Sequence, residues 1–256
     1  MLWYTGEDKM IDGLILAIQF LTRLPIKKPV EFDDKNLSRS ILFFPLAGLI
    51  IGSIGGLFYH IFSHLNEYIG TFFALVSMIA ITGGLHLDGL SDTCDGFLSY
   101  REKDRVLEIM KDSRVGVFGV ISIVLDILFK YILILSIAGN LSLILALSYG
   151  NSRLVISYIM STKKVSRKGG LGDMFHKSNP KIFALIGGII YIIMLFLINP
   201  IYILPLIFSF LAAEIMTWIS YKKIDGFTGD VYGATIEIGE ITSLIVFLFL
   251  EVVKWI

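Results

Sequence analysis

The chain has 256 residues, of which 55% are hydrophobic and only 17% carry a charged side chain, and its mean hydropathy is +0.77. A soluble domain of this length carries about a quarter charged residues, so the composition argues against one. Basic and acidic residues number 22 each, and the zero net charge provides no field that would attract nucleic acid. The single cysteine, Cys94, excludes an internal disulfide framework. The acidic N-terminal stretch lacks the basic region and cleavage site of a secretory signal, so we treat residues 1–256 as one mature domain.

From the N-terminus onward, apolar segments of bilayer length alternate with short charged stretches. This pattern predicts an all-α, polytopic transmembrane bundle of about seven spans. The predicted spans are 41–63, 68–85, 116–138, 141–162, 182–198, 201–221 and 241–256. The segment 11–22 is shorter than a bilayer requires, and it stays open as a re-entrant, interfacial or tilted helix.

Two kinds of loop connect the predicted spans, and they alternate along the chain. The short connections 64–67, 139–140 and 199–200 contain no lysine or arginine. The long loops hold most of these residues; they are 23–40, 86–115, 163–181 and 222–240. The positive-inside rule places the long loops in the cytoplasm. We therefore expect a multi-pass protein of the cell membrane, in contact with lipid, whose functional residues face the cytoplasm.

The most informative segment is 82–97, TGGLHLDGLSDTCDGF. Asp88, Asp92 and Asp95 stand at i, i+4 and i+7, a spacing that places three carboxylates on one face of a helix. Like charges on one face repel each other unless a cation lies among them, and Mg²⁺ prefers oxygen ligands and often joins carboxylates to substrate phosphates. The three aspartates are therefore candidate metal ligands and catalytic residues.

Composition around the aspartates weighs against the alternative of a plain solvated helix end. A solvated face would mix in lysine and glutamate, yet none of Lys, Arg or Glu occurs between Glu67 and Arg101. Four glycines in the segment would let a large ligand approach the backbone; they are Gly83, Gly84, Gly89 and Gly96. His86 precedes the aspartates and is either a structural residue or a substrate contact.

The long loop that follows ends in the run 111–119, KDSRVGVFG. Lys111 and Arg114 with glycines ahead of a helix suit a bound phosphate, because arginine binds phosphate through two parallel hydrogen bonds and a helix N-terminus attracts anions. A polar helix cap explains the same run equally well.

A second acidic and glycine-bearing stretch precedes the last predicted span. Asp230 and Glu237 are seven residues apart, and Glu240 follows three further on. On a helix these side chains would share a broad face with Gly233 between them, and they could complete a metal site begun by the first aspartates. The alternative is an ordinary helix start, where acidic residues are favoured by the helix dipole.

The remaining charges have simpler interpretations. Loop 163–181 is basic and glycine-rich, and it is either a lid over an anionic substrate or an anchor to anionic lipid. His176 within it is expected to be solvated. Asp126 and Lys130 are four apart inside a span and are expected to pair as a structural bridge. The span interiors are otherwise expected to stay apolar.

Several motifs in chain order carry a resemblance to a known family. The segment 82–97 resembles the signature of cobalamin synthases, the adenosylcobinamide-GDP ribazoletransferases. Segments 20–25 (FLTRLP) and 44–48 (FPLAG) resemble earlier elements of that family, and 111–119 and 229–237 resemble later ones. The one departure is Thr93-Cys94, where Thr-Ala is usual. The likeness spans nearly the whole chain.

The resemblance implies a reaction. A ribose hydroxyl of α-ribazole, or of its 5′-phosphate, attacks the corrinoid-side phosphorus of adenosylcobinamide-GDP, and GMP leaves. The product is adenosylcobalamin or its 5′-phosphate. The family depends on Mg²⁺ and lies in the cytoplasmic membrane of prokaryotes.

Residue roles follow as hypotheses. Asp88, Asp92 and Asp95 are the expected Mg²⁺ ligands, and one carboxylate acts as the base. The candidate catalytic residues are Asp88, Asp92, Asp95, Asp230 and Glu237. The candidate substrate-binding residues are Arg23, His86, Gly89, Lys111, Asp112 and Arg114. The number of metal ions, the preferred acceptor and the oligomeric state, including a homo-oligomer, stay open.

Two alternatives belong to other classes. CDP-alcohol phosphotransferases of phospholipid synthesis also use aspartates at helical spacing, but an Ala-Arg pair is expected soon after their first Asp-Gly, and here Asp88-Gly89 is followed by Leu90-Ser91-Asp92. A membrane transporter would place its charges near the midplane at broken helices. The expected location of the charges in long loops favours the enzyme.

Overall fold

The computed structural model describes residues 6–256, with side chains from Lys9 onward. Within this range the secondary structure is helical, apart from one isolated bridge between Val165 and Phe227. The α-helices are α1 (Gly6–Leu21), α2 (Asp34–Ser40), α3 (Phe44–Ser63), α4 (Glu67–Thr82), α5 (Leu85–Phe97), α6 (Lys103–Ile109), α7 (Val117–Ser136), α8 (Leu141–Thr162), α9 (Leu171–Lys177), α10 (Lys181–Ile198), α11 (Ile203–Ile224) and α12 (Gly229–Val252). Two short 3₁₀ segments, Ile41–Phe43 and Pro200–Tyr202, lead into α3 and α11.

Six helical stretches in the described residues are long and apolar enough to cross a membrane. They are Asp34–Ser63, Val117–Ser136, Leu141–Thr162, Lys181–Ile198, Pro200–Ile224 and Gly229–Val252. The pair α4 and α5 would make a seventh if counted together, although an 84° bend separates the two helices. The predicted all-α, polytopic bundle is therefore confirmed. Because α5 turns so sharply from α4, we treat α4 as the spanning half and α5 as lying beyond it.

Helix α8 forms the centre of the bundle, and most of its residues are buried. It packs closely on α3 because glycines of α3 meet its backbone: a Cβ at Gly48 or Gly52 would overlap the carbonyl group of Tyr149 or Leu145. Small residues that let helix backbones approach are the usual means of helix association in a bilayer. The close contact fixes α8 as a support for the helices that carry the acidic residues.

The last predicted span, 241–256, was wrong in its start, because α12 begins at Gly229. Glu237 and Glu240, which suggested that the loop continued to residue 240, instead face the interior of the bundle and are buried. A helix with charged groups on its buried side lacks the apolar run by which a span is recognised. Residues 11–21 of the segment 11–22 lie in α1, which is shorter than the candidate spans and packs against α2 and the start of α3.

The long loops meet at one end of the bundle, as their common charge predicts. Residues from the ends of α1 and α8, the starts of α3 and α12, and from α5 and α9 line one cavity there. The elements that carry the candidate functional residues are thus brought together at this end.

Candidate active site

A sharp turn between α4 and α5 aims the aspartate-bearing helix. Gly83 and Gly84 have φ values of 65° and 69°, in the left-handed region that favours glycine. The side chain of Arg23 packs over Gly83, and the Arg23 backbone N–H donates to the Ile81 carbonyl at 2.6 Å. Arg23, a predicted substrate contact, therefore lies at this turn, exposed and beside the start of α5.

Helices α5 and α12 cross at a pair of glycines. A Cβ on Gly89 would lie 2.7 Å from the Asp230 carbonyl oxygen, and a Cβ on Gly233 would lie 3.1 Å from the His86 carbonyl oxygen. Gly89 is buried in this crossing and also lines the cavity described below, so its contact with substrate stays a prediction. The expectation that the glycines let a ligand approach the backbone was wrong for Gly96, whose Cβ position is filled by the Met110 side chain. The crossing places Asp230 beside the α5 aspartates.

Asp88, Asp92 and Asp230 form a group of carboxylates without a cationic partner; we call them the carboxylate cluster. None of the three makes an ion pair within the described part of the chain. Partial burial, reinforced by Asp88 and then by Asp230 and Asp95, raises the pKa of Asp92 to about 7. Thr228 Oγ1 donates to Asp230 at 3.2 Å, a contact that leaves the negative charge in place. The cluster therefore has an excess of negative charge, which favours binding of a cation.

Asp95 is engaged differently from its neighbours. Its Oδ2 accepts from the Gly116 backbone N–H at 2.7 Å and its Oδ1 from the Gly119 N–H at 2.8 Å. These N–H groups belong to the first turn of α7, so Asp95 caps that helix from a different helix. A Cβ at either glycine would overlap the carboxylate, which accounts for both glycines. The metal-ligand role of Asp95 stays a prediction. Its observed contacts show that it caps the N-terminus of α7.

Whether a divalent cation fits the site depends on the available donors. No group of three His, Cys, Asp or Glu side chains in the described residues is arranged to hold a metal ion by itself. Mg²⁺ rarely uses such a protein cage, and is bound instead by one or two carboxylates together with substrate phosphates and water. The oxygen donors of Asp88, Asp92 and Asp230, which make no ion pair with the described residues, suit that mode of binding.

Cationic side chains lie around the cluster without neutralising it. Arg167 is close enough to Asp230 for its charge to act on the carboxylate, and it also donates to the Leu107 carbonyl at 3.3 Å. Sequence reasoning missed Arg167, because nothing in a basic loop distinguishes one arginine from another. Arg114 forms a bidentate pair with Asp112, and hydrogen bonding from Arg114 lowers the pKa of Asp112 to about 2. Lys111 is exposed beside them.

A cavity of about 220 Å³ opens beside the carboxylate cluster. Asp88, Asp230 and His86 lie at its wall. The rest of the lining is mostly apolar and includes Phe20, Leu21, Phe44, Ile156, Met160 and Tyr232. An apolar cavity with a few convergent polar groups is the usual form of a small-molecule site. Sequence reasoning did not find this cavity, since its lining comes from six helices.

Loop 163–181 closes one side of the cavity. Its helix α9 contributes Leu171 and Gly172 to the lining, and Phe175 packs fully buried against Phe20 and Phe44. Hydrogen bonds between the loop and Phe227 hold its beginning to the start of α12. The loop thus lies where a lid would lie, and His176 is exposed as predicted.

A second group of charges lies inside the bundle, contrary to the expectation of apolar span interiors; we call it the buried ion network. Its members are Asp126, Lys130, Arg153, Glu237 and Glu240. Lys130 contacts Glu237, donates to Glu240 at 2.6 Å and lies 3.3 Å from Asp126, so the predicted Asp126–Lys130 pair is confirmed. Arg153 pairs with Glu240. Glu237, a predicted member of the aspartate site, is held in this network instead.

The buried ion network reaches the cavity through one histidine. Arg153 Nη2 lies 3.2 Å from His86 Nδ1. Arginine has only donors, so Nδ1 must accept and the neutral ring carries its proton on Nε2. His86 is buried and lines the cavity, and the network therefore sets the tautomer of a side chain at the site.

Together, the helical bundle, the carboxylate cluster and the adjoining cavity define a polytopic membrane protein with an acidic site at one end. The model of the cobalamin-5-phosphate synthase family matches residues 13–248, and the chain belongs to this family. An adenosylcobinamide-GDP ribazoletransferase of Clostridium botulinum (strain Langeland) is 36% identical over 94% of this chain and 99% of its own length. One from Clostridium novyi (strain NT) is 39% identical over 93% of this chain and 97% of its own length. No solved structure matches the chain.

Proposed function

We propose that the protein joins the corrinoid and nucleotide parts of cobalamin, as an adenosylcobinamide-GDP ribazoletransferase. The carboxylate cluster at the edge of the cavity carries the proposal, because Asp88, Asp92 and Asp230 lack a cationic partner in the described chain. Family membership supports the same reaction. The substrates would be adenosylcobinamide-GDP and α-ribazole or its 5′-phosphate.

The reaction is a phosphoryl transfer that needs positioning and neutralisation of charge more than covalent chemistry by the protein. The oxygen of an acceptor ribose hydroxyl forms a bond to the corrinoid-side phosphorus, and the bond from that phosphorus to the bridging oxygen breaks. GMP leaves with the bridging oxygen, and a carboxylate of the cluster takes the hydroxyl proton. Asp88 and Asp230 are the two members that line the cavity and so would face the acceptor.

Mg²⁺, held by carboxylates of the cluster and by the diphosphate, would supply neutralisation of the phosphate charge. Asp88 and Asp92 on α5 and Asp230 on α12 are the proposed ligands. Arg167 is proposed to bind phosphate oxygens because its charge acts on Asp230. Arg114 is proposed for the same task because it lies two residues before Gly116, whose backbone N–H donates to Asp95 on α5, and arginine suits phosphate geometry. Asp95 is proposed to act indirectly, by holding the first turn of α7 beside Arg114.

The site is proposed to face the cytoplasm. The loops that meet at the cavity are those rich in lysine and arginine, and the positive-inside rule assigns them to the cytoplasmic side of the cell membrane.

A GMP-release assay tests the proposed function. The purified protein in detergent is incubated with adenosylcobinamide-GDP, Mg²⁺ and either α-ribazole or its 5′-phosphate. We expect GMP release that requires an acceptor, stops with a chelator and returns on addition of Mg²⁺. Release of GMP without acceptor, or no release with either one, would contradict the proposal.

A further inference from the structure

The apolar cavity beside the carboxylate cluster has a feature that the proposed chemistry leaves unexplained. Tyr232 lines the cavity with only 5% of its surface exposed, and its hydroxyl has no hydrogen-bond partner in the described chain. Buried hydroxyl groups in proteins nearly always have a partner. The unpaired hydroxyl of this cavity-lining residue is therefore a candidate contact for a ligand. The ring is held in place by stacking on Phe227, at 5.2 Å between centroids and 10° between planes.

The shape and polarity of the cavity restrict its occupant. The cavity has a volume of about 220 Å³. The lining opposite the carboxylates is apolar, with Phe20, Phe44, Ile156 and Met160. Donors and acceptors of a base that face these apolar walls would be left without partners. A flat, bicyclic and mostly apolar base would fit them.

We infer that this cavity is the subsite for the heteroaromatic base of the acceptor nucleoside, and that the Tyr232 hydroxyl donates a hydrogen bond to the free ring nitrogen of that base. The inference rests on the proposed function. α-Ribazole carries a dimethylated benzimidazole, in which one ring nitrogen is bonded to the sugar and the other is a free acceptor. With the base in the cavity, the ribose extends toward Asp88 and Asp230, where the reacting hydroxyl is needed.

The hydrogen bond is tested with an acceptor that lacks the free nitrogen. Tyr232→Phe removes only the hydroxyl and leaves the stacked ring. We expect kcat/KM for a benzimidazole riboside to fall about three- to tenfold, and that for an indole riboside to stay within about twofold. If indole riboside is not turned over, its inhibition constant against the acceptor replaces kcat/KM. An equal loss for both bases, or no loss for either, would overturn the assignment of Tyr232.

The cavity itself is tested by filling it. Met160→Phe adds bulk to the lining, and Met194→Phe makes the same change in a separate cavity between α3 and α10. We expect Met160→Phe to raise the KM for α-ribazole and to shift preference toward the unmethylated benzimidazole riboside, with the KM for adenosylcobinamide-GDP unchanged. Met194→Phe should alter neither. A raised KM for adenosylcobinamide-GDP with no change for the acceptor would assign the cavity to the donor.

These outcomes are separate from those of the proposed function. Absence of turnover by the unmodified protein with every acceptor contradicts the ribazoletransferase activity itself. The base subsite is refuted, with that activity intact, if turnover is normal and two results are found together. Tyr232→Phe does not discriminate between the bases, and Met160→Phe behaves as Met194→Phe does.

Discussion

The carboxylate cluster and the buried ion network are two acidic regions of one molecule with opposite charge balance. In the network, three carboxylates share Lys130 and Arg153, and all five side chains are almost fully buried. In the cluster, Asp88, Asp92 and Asp230 are less buried and have no ion pair in the described residues. A buried charge is tolerated only with a partner, whereas a charge at the opening of a site stays partly solvated until a ligand binds.

The comparison separates two roles for acidic residues that lie on the same helix. Asp230 and Glu237 are both on α12, seven residues apart, yet one belongs to each region. Glu237 contacts Lys130, while Asp230 lies beside the α5 aspartates at the glycine crossing. We therefore expect substitutions in the network to act on stability and those in the cluster to act on catalysis.

The largest expected effect is on stability, from Lys130→Met. It leaves Glu237 and Glu240 buried with one cation fewer, and breaking a buried pair in this way costs about 3–5 kcal/mol. Unfolding of the purified protein in detergent should show this loss. The double variant Lys130→Met with Glu237→Gln should recover part of it. Lys163→Met, which breaks the partly exposed pair with Glu214, is the matched control and should lose less than about 1 kcal/mol.

Asp92→Asn is expected to reduce activity and to leave stability intact, the reverse of Lys130→Met. The variant should lose at least about 100-fold in kcat, the loss typical when a group that stabilises transition-state charge is removed. Its Tm should not fall, because a neutral amide relieves repulsion from Asp88 and Asp230. Asp104→Asn on the exposed face of α6 is the control and should retain activity. A fully active Asp92→Asn protein would remove the basis for treating the cluster as the catalytic site.

The sequence predicted the regions unequally, for physical reasons. Apolar length located α3, α4, α7, α8, α10 and α11 well, since each must cross the hydrocarbon core. Helical spacing also placed Asp88 and Asp92 on one helix correctly. Local pattern carries this information because it depends on neighbours within one element.

The remainder depends on contacts between distant elements. Lys130 and Glu240 are 110 residues apart, and no local pattern shows that they meet. The last span was predicted to start too late for the same reason. Without knowledge of its buried partner, Glu237 has the polar character expected of a loop residue. One available signal was the presence of charges within apolar runs, since each must find a partner in a membrane protein.

A smaller effect is expected where an ion pair lies on the surface near the cluster. Arg114→Gln removes a side chain that is 87% exposed and forms an exposed pair with Asp112, so Tm should not change. If Arg114 binds the diphosphate, the KM for adenosylcobinamide-GDP should rise about five- to tenfold. Arg105→Gln breaks the similarly exposed pair with Glu108 and should leave that KM unchanged. Equal KM values for the two variants would exclude Arg114 from the site.

The smallest and most discriminating effect is expected of Asp95→Asn, because Asp95 lies between the two kinds of role. Asparagine keeps one acceptor oxygen but presents its amide to the other N–H of the α7 turn, so about 1 kcal/mol of stability should be lost. Activity should fall by less than about tenfold, through the loosened start of α7. A loss of activity as large as that of Asp92→Asn, with Tm unchanged, would instead make Asp95 a ligand of the bound cation. In that case the capping contact would be secondary, and the cluster would extend along the whole face of α5.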